Sequence, residues 1–201
     1  MPGAVADRVR DYIYQQEQSL IALLKQFVEA ESPSSHPESH DAIRRTLDTA
    51  LMDAGFMVQE TGPPGRPKHI YARPVKRDRY RGNQLLVGHY DTVWPIGTLD
   101  ERPFVVDGNV VRGPGVFDMK GGLAQIVIAL TCIRELDLDA PLTPVVFVNA
   151  DEEIGSRSSS TYIRMLSRRA ERAFVLEPAM GEEGDIKTER KGIGRFTITA
   201  F

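Results

Sequence analysis

The sequence predicts an α/β fold, a three-layer arrangement in which one sheet is flanked by helices. Three observations carry this reading. Strand-like and helix-like patterns alternate through the second half of the chain, as a sheet with covered faces requires. Val145-Val146-Phe147-Val148 is a continuous apolar, largely β-branched run, the pattern of a strand buried on both faces. Turns rich in Gly, Pro and Asp separate these segments. The 201 residues, 41% hydrophobic and 26% charged, suit a folded domain. A chain of this size buries roughly 70% of its unfolded surface.

Each element follows from its own pattern. Residues 6–30 read as a helix, with Leu20, Leu23, Leu24, Phe27 and Val28 at helical spacing. Pro33 ends it, and Ser32-Pro33-Ser34-Ser35-His36-Pro37 is a loop. Ile43, Leu47, Leu51 and Ala54 line one face of a second helix that stops at Gly55. Residues 56–58 start a short strand, residues 62–65 turn, and residues 69–73 form another strand. Arg73, Lys76, Arg77, Arg79 and Arg81 then fall in a solvated loop interrupted by Asp78. Residues 84–87 are a strand, and residues 104–112 a hairpin around Asp107-Gly108. Residues 121–136 are a helix, 145–148 a buried strand, 158–169 a helix, and 173–176 a second buried strand. Residues 197–201 alternate again, as a strand does.

Composition excludes several classes of function. The formal net charge is −3, which offers no basic field for nucleic acid. No apolar run reaches about 18 residues, so no membrane span is expected. The mixed-charge start (Asp7, Arg8, Arg10, Asp11) is unlike a secretory signal. Cys132 has no second cysteine to pair with, so the cytoplasm is the expected compartment.

Four segments place His, Asp or Glu just after an apolar strand or at a Gly-rich turn. They are Gly88-His89-Tyr90-Asp91, Gly113-Pro114-Gly115-Val116-Phe117-Asp118, Ala150-Asp151-Glu152-Glu153, and Leu176-Glu177-Pro178. In an open α/β sheet the ligand crevice lies beyond the C-terminal strand ends, so these groups are expected to converge. Clustered carboxylates repel unless a cation or a proton sits among them. His89, Asp118, Glu153 and Glu177 therefore form a candidate metal set. Residues two apart in a strand share a face, which lets Asp91 accept the second ring N–H of His89. Each segment alone is weak: a strand-end histidine is usually structural and an acidic triplet usually a solvated loop. Their joint occurrence carries the reading.

These strings resemble the zinc metallopeptidase/deacylase family of glutamate carboxypeptidase, acetylornithine deacetylase, succinyl-diaminopimelate desuccinylase and aminoacylase-1. G-H-Y-D-T-V, G-P-G-V-F-D-M-K-G-G, A-D-E-E-I-G-S and L-E-P resemble its four site motifs in order. The stretch from Asp91 to Gly122 looks most like the glutamate carboxypeptidase branch. The resemblance implies a zinc-peptidase-like catalytic domain with two zinc ions, cobalt or manganese being alternatives. It implies that His89 and Glu177 hold one zinc, Glu153 the other, and that Asp118 bridges them. Glu152 is implied as general base, taking a proton from an activated water and passing it to the leaving amine. Asp91 is implied to orient His89. A cis Asp118–Met119 peptide is implied too. The implied substrates are N-acyl amino acids or peptides.

One departure stands out. The resemblance calls for a further histidine ligand late in the chain and another in a lid or dimerisation domain. The histidines are His36, His40, His69 and His89, all before Glu177, and the Ser/Pro loop around His36 and His40 does not suit a ligand. The expectation is therefore residues 1–190 as the N-terminal part of a catalytic domain and 191–201 as the start of a lid domain. On that expectation these residues alone are inactive, and the longer protein dimerises through its lid. The rival from another class is a non-catalytic binding or assembly protein that keeps the fold. A nucleotide-binding loop is disfavoured because G-x-x-x-x-G-K-[ST] does not occur, and a serine hydrolase because G-x-S-x-G does not.

Overall fold

A computed structural model describes the chain except Met1, Glu182, Arg190, Ile193, Arg195, Ala200 and Phe201. Its strands are β1 (Phe56–Thr61), β2 (His69–Pro74), β3 (Asn83–His89), β4 (Val105–Asp107), β5 (Val110–Arg112), β6 (Thr143–Asn149) and β7 (Ala170–Val175). The helices are α1 (Pro2–Gln15), α2 (Glu17–Glu29), α3 (Asp41–Asp53), α4 (Thr98–Glu101), α5 (Gly121–Glu135) and α6 (Ser160–Ser167). The main sheet runs β1-β2-β6-β3-β7, and β4 and β5 form the separate hairpin expected around Asp107-Gly108.

The sheet is mixed. β3 runs parallel to both β6 and β7, while β2 is antiparallel to β6 and β1 to β2. Side-chain alternation divides the core in two. Ile70, Ala72, Leu86, Val146 and Val148 face α2, α3 and α5, together with Phe27, Leu47 and Leu123. Leu85, Val87, Val145 and Phe147 face the other way, under Tyr162, Ile163 and Leu166 of α6. Helices thus cover both faces, and the three-layer expectation holds.

Strand order places the crevice. The chain leaves β3 for α5 on one face and leaves β6 for α6 on the other. β3 and β6 are neighbours whose exit loops diverge to opposite faces, which opens a crevice between their C-terminal ends. Register sets the level: His89 pairs with Asn149, and Val87 pairs with Val175. Glu177, two residues past Val175, and the acidic segment after Asn149 are thereby carried to the level of His89.

Several expectations need correction. The first helix is two helices broken at Gln16, where Gln15-Gln16-Glu17-Gln18 offers no apolar residue to carry the buried face across. β7 begins at Ala170 and is exposed along most of its length, because among the described residues it is the sheet's edge and pairs with β3 alone. Its apolar Phe174 and Val175 read as buried in the sequence yet are 47% and 60% exposed. Of residues 197–201, Thr197, Ile198 and Thr199 take no strand conformation, and Ala200 and Phe201 lie outside the described residues. The helical stretch Val116–Glu135 is long and apolar enough, by length and composition, to cross a membrane. Here it contains α5, packed between the sheet and α2 and α3.

Gly122 lets the start of α5 approach the segment after β7. A Cβ there would overlap the carbonyl oxygen of Leu176 and lie 3.0 Å from its carbonyl carbon. Backbone cannot swing aside as a side chain can, so overpacking of about 1–3 kcal/mol outweighs the roughly 1 kcal/mol helix-propensity gain of alanine. Gly122→Ala is expected to lower the urea midpoint, and a midpoint at or above the parent's would contradict this close contact.

His40 carries a pH dependence. It is buried; Nε2 donates to the Pro33 carbonyl at 2.9 Å, and Nδ1 has no partner. Burial holds its pKa below the usual imidazole range. The folded state then binds fewer protons than the unfolded one, so stability falls as pH drops below about 6.5, by at most about 1.4 kcal/mol per pH unit. The stability advantage of the parent over His40→Gln should shrink between pH 8 and pH 5 in urea titrations. A constant difference would count against the assignment.

Candidate metal centre

His89 is the last residue of β3 and is buried, its ring pointing into the crevice. Its Nδ1 lies 2.9 Å from the Asp91 carbonyl and 3.4 Å from Asp91 Oδ1. The backbone carbonyl is the nearer acceptor, and the carboxylate that strand spacing suggested also lies within reach of the same nitrogen. A proton on Nδ1 leaves Nε2 to face the acids. Nε2 lies 3.1 Å from Asp118 Oδ1, 3.4 Å from Glu177 Oε1 and 4.0 Å from Glu152 Oε2.

The Asp91 carboxylate also pins the loop after β6. It accepts the backbone N–H groups of Glu152 at 3.1 Å and Glu153 at 3.2 Å, and the Ser34 hydroxyl at 2.7 Å. Ser34 went unnoticed in the sequence, where it is one serine in a loop; its role arises from the pairing of that loop with Thr92. Asp118 sits in the turn before α5, and the Asp118–Met119 peptide is cis, as the resemblance implied. Met119 is buried, with its Sδ 3.2 Å from the His89 backbone nitrogen. The Nζ of buried Lys120 donates to the Ala30 carbonyl at 2.9 Å, which ties this turn to the end of α2.

Two sets of donors share the one imidazole. Ligand atoms of His89, Asp118 and Glu153 lie within 4.8 Å of one another, as do those of His89, Glu152 and Glu177. The four acids and the histidine singled out in the sequence are therefore all brought together. Crowding shows in their protonation. Burial, then the charge of Asp118, pushes the Glu153 carboxyl up to about 7. Burial, then Glu177, raises Asp118, and burial also raises Glu152. Burial opposes a charged His89 ring, but hydrogen bonds with Asp91 and Glu177 outweigh it and push the ring up to about 11. A positive charge is favoured at Nε2, and a hard or borderline cation suits the same imidazole and carboxylate oxygens.

A cavity of about 830 Å³ lies at the other end of the strands, lined by Phe56, Val75, Leu130, Ile133, Arg134 and Pro144. It contains none of the crevice acids.

The fold is a mixed sheet covered by helices on both faces, with an imidazole–carboxylate cluster at the C-terminal strand ends that could hold a metal ion. Residues 85–197 match the model of Peptidase family M20/M25/M40, and the chain belongs to that family. The family is metal-dependent, usually on zinc. Carboxypeptidase G2 of Pseudomonas sp. (strain RS-16) is 30% identical over 180 residues, covering 89% of this chain and 43% of that protein. Acetylornithine deacetylase of Salmonella typhimurium is 29% identical over 165 residues, covering 79% and 42%. The chain thus spans under half the length of these relatives. Human carnosine dipeptidase 1 shares the fold with a TM-score of 0.72 at 19% identity, over 86% of this chain and 42% of its own. The Saccharomyces cerevisiae dipeptidase Dug1p does so with a TM-score of 0.73 at 18% identity, over 86% and 41%.

Proposed function

We propose that this chain is the metal-holding part of a hydrolase that cleaves amide bonds of N-acyl amino acids or peptides, in the manner of a carboxypeptidase or deacylase. One observation carries the reading: two donor sets that share His89 at the C-terminal ends of β3, β6 and β7. The donor chemistry, one imidazole among carboxylates, fits zinc, with cobalt or manganese as alternatives.

In this reading His89 and Glu177 would hold one ion and Glu153 a second, with Asp118 available to both. Bound ions supply Lewis acidity toward the scissile carbonyl and make a water more acidic. The Asp91 carbonyl fixes the His89 tautomer so that Nε2 faces the crevice, while the Asp91 carboxylate holds Glu152 and Glu153 in place by their backbone. Glu152, with a half-exposed carboxylate at the edge of the cluster, accepts the water's proton and delivers it to the departing amine. Hydrolysis is proposed for a longer protein that would supply the late histidine the family pattern calls for; the histidines here all precede Glu177. These 201 residues are expected to bind metal and to turn over poorly. Assembly of the longer protein as a homodimer and a cytoplasmic location complete the proposal.

Cobalt(II) titration followed by visible absorption, with zinc competition, tests the centre. His89→Ala removes the one imidazole of the cluster and should weaken binding by more than about 100-fold, beyond the 10–100-fold typical of losing a ligand's hydrogen-bonding partner. Glu153→Ala and Glu177→Ala, each in one set, should cost less. Equal cobalt affinity in the parent and His89→Ala would overturn the metal reading and favour a binding protein that merely keeps the fold.

A further inference from the structure

A second polar cluster lies behind the crevice, built from residues outside the proposed ligand set. The Asp151 carboxylate is buried; its Oδ2 accepts the Ser158 backbone N–H at 2.6 Å and the Ser158 hydroxyl at 2.8 Å. The Ser158 hydroxyl lies 3.2 Å from Nε2 of His69, itself fully buried at the start of β2. Nδ1 of His69 accepts the backbone N–H of Ala150 at 3.3 Å. These contacts run in one direction. With Nδ1 accepting, Nε2–H donates to the Ser158 oxygen, and the Ser158 O–H donates to Asp151. Burial holds the His69 pKa below the usual range, which keeps the ring in the neutral form this chain needs. The Asn149 side chain closes the base of the loop through contacts to Asp151, Ser156 and Ser159 at 3.4, 3.3 and 3.1 Å. Glu152 and Glu153 sit at the apex of the loop so closed, and their backbone N–H groups point to Asp91 on the far side.

We propose that His69 and Ser158 are positioning residues: acting through Asp151 and the Ala150 backbone, they fix the loop that presents Glu152 and Glu153 to the metal centre. The loop is held at two points, by Asp91 from the crevice side and by the His69–Ser158–Asp151 chain from behind. A loop with only the first would keep its carboxylates close to the crevice but free to rotate about it. Conformational freedom at a ligand-bearing loop weakens metal binding, since the lost freedom must be recovered on binding. The ligand role of Glu153 rests on the function proposed above; the anchoring of the loop does not.

Three variants test the inference. Ser158→Ala removes the hydroxyl, Ser158→Thr keeps it, and His69→Phe keeps a ring against Phe147 and Tyr162 while removing both nitrogens. In the metal-free protein, amide hydrogen exchange at Glu152 and Glu153 should accelerate about tenfold or more in Ser158→Ala and His69→Phe, with Val146 and Val148 of β6 unchanged. Ser158→Thr should behave as the parent. Cobalt affinity should fall about 10–100-fold in the first two variants and be retained in the third. Unchanged exchange at Glu152 and Glu153 in Ser158→Ala overturns the inference, as does acceleration spread equally over β6, which marks general loosening. A parent protein that binds no cobalt defeats the proposed function, while the exchange data still decide this inference.

Discussion

Replacing Glu152 with glutamine, in the longer protein for which hydrolysis is proposed, is expected to lower the rate of amide hydrolysis by about 10²–10⁴-fold, the range for losing a positioned general base, and to leave divalent-ion affinity unchanged. Glutamine keeps the shape and the backbone bond to Asp91 but cannot take a proton. The test separates two roles that the geometry brings close together. Glu152 Oε2 lies 4.0 Å from His89 Nε2, and it groups with His89 and Glu177 as ligand atoms do. A base loses turnover and keeps the ion, whereas a ligand loses both. Steady-state hydrolysis of acyl-glutamate and dipeptide substrates, alongside cobalt titration, reads the difference. A matched fall in affinity would reassign Glu152 as a ligand. Burial raises the Glu152 carboxyl above its usual range, toward the neutral pH at which a base works best.

Phe147→Ala is expected to cost about 3–5 kcal/mol of stability. Phe147 is fully buried in β6, the sheet's central strand, and packs against the rings of His69 and Tyr162. At about 2–4 °C per kcal/mol for a chain of this size, the melting temperature should fall by about 6–20 °C. That is a large share of the roughly 5–15 kcal/mol typical of a folded domain. Thermal and urea unfolding check it. A fall under about 3 °C, equivalent to roughly 1 kcal/mol, would mean that α6 collapses onto the sheet and fills the space. The loss also reaches the loop after β6, because the ring it removes supports His69.

The legible parts of the fold share one property: their signal is local. The apolar run in β6 announces burial on both faces, and Ile43, Leu47 and Leu51 announce the buried stripe of α3. Asp107-Gly108 marks the β4–β5 hairpin because only certain residues take that turn. The edge position of β7 was not legible. Ala173-Phe174-Val175-Leu176 has the composition of an interior strand, and nothing in four apolar residues says whether a neighbour lies on one side or both.

The site divides the same way. His89, Asp118, Glu153 and Glu177 could be named from the sequence because each follows an apolar run or sits in a Gly-rich turn, and strand ends in an α/β sheet face one crevice; Glu152 was singled out by the family resemblance. Their convergence on a single imidazole nitrogen was decided by register: His89 beside Asn149, and Val87 beside Val175. The sequence also marked Asp91 as a partner of His89 but not its division of labour. Its carbonyl serves the ring while its carboxylate anchors the loop of Glu152 and Glu153. Ser34, His69 and Ser158 carried no sequence signal at all. They lie 57, 81 and 7 positions from the residues they hold. By itself the sequence determined the residue types and their order along the chain. The tertiary structure alone decided which backbone groups and hydroxyls complete them, because hydrogen bonds between distant segments exist only once the sheet has set its register.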